Sequence, residues 1–306
     1  MKHCTIIILL MLLNAYSYAQ QEAHYSHFMF NQTGYNPAYC GTDGVINGTL
    51  IYRDQWMGLE GGPKTMMLTA DMPINILGRQ HGVGFTMAND DIGFETNFTA
   101  KAAYSHHIQV GTGIFAIGLD LGLYNKSIDG DWQFPDEEEA IFQGKTRKMI
   151  FDLGAGIYYN IGDLSLGLSS AHIHEPELDF SEDGQTYLAR HYFFTSSYNI
   201  SLPNSLFDLT PSIILMSDMN AFQFDINLNV LYNKKVWGGV TYRNEDAITL
   251  LAGATVIGDF KIGAAYEIGI SKLKKTNVGS FELMLGYSFV PEKSKPAQKV
   301  RSVRFL

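Results

Sequence analysis

Residues 114–124, IFAIGLDLGLY, put Phe115, Ile117, Leu119, Leu121 and Leu123 on one face of an extended strand. Ala116, Gly118, Asp120 and Gly122 fall on the other, because side chains in a strand alternate with period two. A large apolar face backed by a small or polar one suits a strand between lipid and a wet barrel lumen. A half-buried strand of a soluble sheet shows the same pattern once, so repetition decides. The alternation recurs at 45–53, 65–72, 82–87, 94–104, 151–160, 164–169, 222–230, 260–268 and 281–289. Weaker candidates sit at 187–200, 207–216, 236–243 and 247–257. Together they predict an all-β fold: a transmembrane up-and-down antiparallel β-barrel of about 14 strands over residues 44–290.

Four further features bear on that fold. Asp120, Asp225 and Glu267 lie on the polar faces, where a dry sandwich core would penalise each by roughly several kcal/mol. A polar or water-filled lumen removes most of that penalty. Tyr104, Tyr124, Tyr159, Tyr232 and Tyr287 stand at strand ends and read as outward interfacial girdles. Connections 54–63, 127–148, 172–186 and 269–278 are long, whereas 161–163, 233–235 and 258–259 are tight. Such segregation fits long loops outside and short periplasmic turns, with both chain ends periplasmic. Connections 217–220 and 244–246 are short and break the trend. Pro211, inside one of the weaker candidates, predicts a bulge or a late strand start.

The N-terminus reads as a cleaved signal peptide over 1–19. Lys2 and His3 precede an apolar run over 6–13, and Ser17-Tyr18-Ala19 offers a cleavage site before Gln20. Cleavage would remove Cys4 and leave Cys40 alone, so no internal disulfide is expected. No later stretch is apolar enough for a membrane helix. The chain of 306 residues carries a net charge of -9, which argues against nucleic acid as a partner. Residues 20–43 form an irregular, aromatic-rich lead-in, periplasmic or packed into the barrel as a plug. Residues 291–306 read as a basic periplasmic tail.

No enzyme motif of the GxSxG, HExxH, P-loop or CxxC kind occurs, and no cofactor is expected. His172, His174 and Glu175 offer too few ligands for a metal site and read as exposed loop residues. His106 and His107 read as a strand-end pair. Asp129, Asp131, Asp136, Glu137, Glu138 and Glu139 make loop 127–148 acidic; without EF-hand spacing a solvated loop is favoured over a calcium site.

Two blocks are more specific. In residues 24–44, Phe28, Met29, Phe30, Asn31, Asn36, Pro37, Ala38, Tyr39 and Gly41 match a pattern of the PorP/SprF family. In residues 52–74, Tyr52, Arg53, Gln55, Trp56, Gly58, Gly62, Pro63, Thr65, Asp71 and Pro73 match a second. The sequence therefore resembles that family of Bacteroidetes membrane proteins, and DDIG at 90–93 and SVRFL at 302–306 also look familial. Cys40 departs mildly, standing where the family commonly has a small residue such as Ala. The resemblance implies a non-enzymatic outer-membrane barrel of the type IX secretion and gliding machinery. It would assist export or surface anchoring of an adhesin-type protein bearing a type B C-terminal domain. Implied partners are that protein, periplasmic secretion components and outer-membrane lipid. The alternatives are a pore or transporter for small solutes and, third, a barrel hydrolase. From the residues alone, Pro63 and Pro73 end strand pairing, and Arg53 is expected to pair with Asp71 across the first hairpin.

Overall fold

The computed structural model describes residues 22–130, 145–178, 180, 186–203 and 206–290. After a short irregular lead-in come β1 (Ile46–Asp54), β2 (Lys64–Ile76), β3 (Arg79–Ile92), β4 (Glu95–Val110) and β5 (Gly113–Ile128). Then follow β6 (Thr146–Ile161), β7 (Leu164–Ala171), β8 (His191–Tyr198), β9 (Ile200–Ser201) and β10 (Phe207–Ser217). The last are β11 (Phe222–Tyr232), β12 (Val236–Arg243), β13 (Ala247–Thr255), β14 (Phe260–Gly269) and β15 (Ser280–Phe289). Each strand pairs antiparallel with its neighbours in chain order, except that β8 and β9 both pair with β10 and not with each other. β15 closes on β1 from Ile46↔Phe289 to Asp54↔Phe281, which leaves no sheet edge.

β8 and β9 are two parts of one stave, because Ser197↔Ser212 and Ile200↔Leu209 hold the same register against β10. The barrel thus has fourteen staves. The interruption lies opposite Pro211, which has no N–H to give. Toward β11 the register runs unbroken through Pro211↔Leu228. The expected bulge or late start is therefore absent: the proline interrupts only the ladder on its β8 side.

The alternation falls as the sequence implies. Leu119 is 62% exposed, Leu121 56% and Phe151 68%, while Asp152, their neighbour across the pleat, is fully buried. A closed apolar exterior of this extent is stable in a bilayer and not in water. Tyr104, Tyr232 and Tyr287 point outward and Tyr159 is half-buried. Tyr124 is the exception. It shares the parity of Asp120 and Gly122, so it points inward and packs with Leu178 and Leu188. The strand's own period keeps it out of the girdle.

Connections 55–63 and 270–279, with 172–178 and 186–190, gather at one rim; 77–78, 111–112 and 233–235 gather at the other. On the long-loop rim β3 and β4 join through only Gly93 and Phe94, but these strands have 14 and 16 residues against 8 for β7. There the hairpin itself extends in place of a loop. In the acidic loop, Lys145 pairs with Asp129 at 2.9 Å; Asp131 and the acidic run 136–139 lie outside the described residues.

A charge on the outer face should be costly at mid-height. Leu121→Arg is expected to lose about 2–4 kcal/mol of stability in lipid vesicles, measured as a shift of the denaturant unfolding midpoint.

Candidate functional site

The lead-in, residues 22–44, lies inside the barrel as a plug. Its local structure is three short turns, Phe28–Phe30, Gln32–Tyr35 and Pro37–Tyr39. Pro37 starts the last one, where its fixed φ is pre-set and its missing N–H costs nothing. Asn36 caps that turn, its Oδ1 accepting from the Ala38 N–H at 2.9 Å. Backbone groups so short of regular partners must find them elsewhere. Here the inner wall supplies them. Ser105 of β4 donates to Ala38 O at 2.8 Å, and Ser169 of β7 donates to Tyr35 O at 2.7 Å. His107 of β4 bonds Cys40 O at 3.0 Å, and Asn36 Nδ2 donates to Ile157 O of β6 at 3.0 Å.

The wall makes room with glycines on its inner face. A Cβ at Gly82 would stand 1.7 Å from Cys40 O, and one at Gly118 2.2 Å from Ala38 N. A Cβ at Gly156 would meet Asn36 Oδ1 at 2.1 Å. Glycine lets two backbones approach closely. These positions are where the plug runs against the strands.

The residues singled out in the sequence divide into two places. Most meet at the plug. Phe30 packs its ring on Trp237 with centroids 4.7 Å apart. Asn31 is buried, accepting from Thr69 Oγ1 at 2.8 Å. Tyr39 stands edge-on to Tyr158 and donates to Asp43 at 3.2 Å. Asp71 accepts from Thr33 Oγ1 at 2.9 Å and from the Gly41 N–H at 2.8 Å. Gly41 has φ +67, and a Cβ there would strike Pro73 at 2.8 Å, so Asp71 and Pro73 together hold this left-handed corner. Pro73 does not end the pairing as expected: β2 runs on to Ile76 against β3 through Pro73↔Gly82, and only its β1 side stops short, at Asp71. Gln55, Trp56, Gly58 and Pro63 lie instead in the β1–β2 loop. Gln55 N–H donates to Pro63 O at 2.8 Å, and Trp56 N–H to Ser280 Oγ at 3.2 Å.

Arg53 does not pair with Asp71. The register sets Arg53 opposite Thr65 and Asp71 opposite Asn47, six residues apart along the strand. Barrel closure brings β14 and β15 beside β1 instead. Arg53 pairs with Glu267 at 2.7 Å and Glu282 at 3.4 Å. Arg243 pairs with Glu267 at 2.9 Å and Asp225 at 3.1 Å. Of the polar or water-filled lumen that the sequence left open for Asp225 and Glu267, the structure shows the polar one: both are buried and paired with two arginines.

Three of the first six described residues of the plug, His24, Ser26 and His27, dock on this cluster. The Ser26 and His27 N–H groups both donate to the Glu282 carboxylate at 2.8 Å, and Ser26 Oγ donates to Glu267 at 2.6 Å. His27 Nδ1 lies 2.6 Å from Glu282, and His24 Nε2 lies 3.1 Å from Asp225. Glu22 bonds His172, which also contacts Asp152 at 2.9 Å. His172 is thus a buried lumen residue rather than an exposed one; His174 is exposed. His106 and His107 point to opposite faces, His106 toward His81. No group of three or more metal-binding side chains occurs among the described residues. Burial pushes the Cys40 thiol well above its usual range.

A family model described as "Type IX secretion system membrane protein PorP/SprF" matches residues 17–287. No curated protein matches the chain. Among solved structures, a mutant of the Rh. blastica porin aligns at 11% identity and a TM-score of 0.35, covering 80% of this chain and 99% of that one. The Acinetobacter baumannii outer membrane protein Omp33 aligns at 8% identity and a TM-score of 0.44, covering 80% and 96%.

Two substitutions test the seat of the plug. Gly118→Val, overpacked against Ala38, is expected to cost at least about 1–3 kcal/mol. It should also make Cys40, unreactive in the native barrel, open to alkylation before the barrel unfolds. Arg53→Ala, which strips two buried carboxylates of a cation, is expected to cost about 3–5 kcal/mol in the same unfolding measurement.

Proposed function

The chain belongs to the PorP/SprF family of type IX secretion system membrane proteins, and from that premise we propose that it serves secretion as a plugged outer-membrane barrel. It assists export or surface anchoring of an adhesin-type protein with a type B C-terminal domain, together with periplasmic components of the same system. The long loops face the cell exterior, and the short turns face the periplasm. A role in gliding follows where that machinery shares the system. No catalytic step belongs to this reading.

The family match over 17–287 carries it. The seated plug supports it against a passive pore. Plug atoms hydrogen-bond to β1, β2, β4, β6, β7, β14 and β15, half of the fourteen staves. A water-filled solute channel needs a lumen left free for water.

The test is purification from native outer membranes in mild detergent, alongside reconstitution in planar bilayers. A secreted protein with a type B C-terminal domain is expected in stoichiometric amount, with no steady conductance from the full chain. A solitary barrel that passes solutes would overturn the reading.

A further inference from the structure

At the short-turn rim two neighbouring hairpins part from each other. The β3–β4 ladder stops at His81↔His106, yet β3 begins at Arg79 and β4 runs on to Val110. Each hairpin stays zipped on its other side, through Ile76↔Arg79 and Val110↔Gly113. A cleft of about 420 Å³ lies between them. By strand parity Gln80, His107 and Gln109 take its inner side, and Arg79, His106 and Ile108 its outer one. Backbone groups along such parted edges lose the ladder partner that a strand otherwise gives.

The outer side of this cleft is polar where the rest of the strands' outer face is greasy. His81 shares the outward parity of Phe85 and Met87, yet it is buried, because two rings cover it. The Tyr104 ring stacks on it with centroids 5.6 Å apart, and the His106 ring lies at 4.8 Å. Tyr104 Oη and His106 Nδ1 converge on His81 Nδ1, at 2.7 and 3.2 Å. The three rings form one fixed group, which leaves the opposite ring nitrogen of His106, Nε2, to an outside partner. Arg79 follows on the same face, exposed and with no ion pair among the described residues. Apolar side chains flank it: Ile76, Leu77, Ile108 and Val110 are all exposed. Outward tyrosines mark the headgroup level of a membrane wall. Tyr104 is one of them, and the register puts His106 one pleat and Arg79 two pleats beyond it toward the rim. That is the height of lipid phosphates.

We propose that the parted β3–β4 edge is a phospholipid site, which holds the phosphodiester of one lipid of the periplasmic leaflet between Arg79 and His106. The Arg79 guanidinium offers a phosphate two parallel N–H donors, and the imidazole of His106 offers another. No carboxylate lines the cleft, so its charge suits an anion. Two features select a lipid over free phosphate. The donors sit at headgroup height, and exposed apolar side chains surround them. A lipid's acyl chains cover that surface, running down the wall over Ile108 and Phe115, which face each other across β4 and β5. The headgroup fills the gap between the hairpins, where the backbone edges have no strand partner. The site is independent of which protein the barrel helps to export; it rests on the reading that the short turns face the periplasm.

The experiment titrates the full mature chain, purified in detergent, with a phosphatidylethanolamine and counts bound copies by native mass spectrometry. One copy is expected to bind well above the rest. Arg79→Gln should weaken that copy at least about tenfold, the effect of one charge-assisted hydrogen bond. His106→Ala should weaken it in the same direction, and the double variant more than either. Lys234→Gln, on another turn of the same rim, should leave it unchanged. Inorganic phosphate, an anion without the apolar part, should not displace it. Heat-modifiable gel migration confirms that each variant is folded. Affinity untouched by Arg79→Gln and His106→Ala, or displacement by inorganic phosphate, would overturn the site itself. The leaflet is tested apart from the site, with Leu77→Cys in a Cys40→Ser background. A membrane-impermeant thiol reagent should label it only after the outer membrane is permeabilised; labelling in intact cells would overturn the orientation and the periplasmic leaflet with it.

Discussion

A barrel of fourteen staves encloses more space than its own inward side chains fill, and this chain makes the deficit worse by lining much of its wall with glycine, serine and threonine. The rest of the structure answers that constraint. The segment ahead of the first strand turns back into the lumen and occupies it. Its backbone is irregular, so its amides and carbonyls need partners, and the wall's hydroxyls, amides and carboxylates provide them. Close approach and polar satisfaction therefore come from the same arrangement. Where the wall has no Cβ, as at Gly82, Gly118 and Gly156, the plug's main chain comes nearest. Where the wall carries a hydroxyl, as at Ser105 and Ser169, a plug carbonyl accepts from it.

The charged groups follow the same logic at one end of the lumen. Arg53 is fully buried, as is Glu282, and each would be intolerable alone. Closure of β15 on β1 and the pairing of β14 with β15 bring them together with Glu267 and Arg243. Ser26 and His27 of the plug add backbone donors, and His24 and His27 imidazoles, to that wall cluster. These contacts thus tie two things at once: the seam of the barrel and the position of the plug.

Much of this was legible in the sequence, for reasons that differ by residue. The period-two pattern gave the faces of the strongly alternating strands, because lipid outside and a polar interior impose opposite demands on alternate side chains. Applied strictly, it also places Tyr124 inside. Pro211 signalled a disturbed ladder, but its effect is confined to one side because a strand has two neighbours and the proline lacks a donor toward only one. The partner of Arg53 was not legible. Glu267 lies 214 residues away, and only ring closure makes them neighbours. The available signal was that Glu267 and Glu282, both on polar faces, lacked a cation opposite them in their own hairpin. The lumen glycines were likewise visible as small residues on polar faces, yet nothing local told which would meet a plug and which would meet water.

The account rests on the lead-in lying inside the barrel against β3, and cross-linking tests that directly. A Cβ at Gly84 would stand 2.4 Å from Cys40 Sγ, close to the spacing that a disulfide bridges after a small adjustment. Gly84→Cys in the membrane-inserted chain, mildly oxidised, is expected to form an internal disulfide with Cys40 in high yield, seen as a reductant-sensitive shift on a denaturing gel and as the loss of both free thiols. Two free thiols in a folded barrel, each reacting with an added alkylating reagent, would contradict the account.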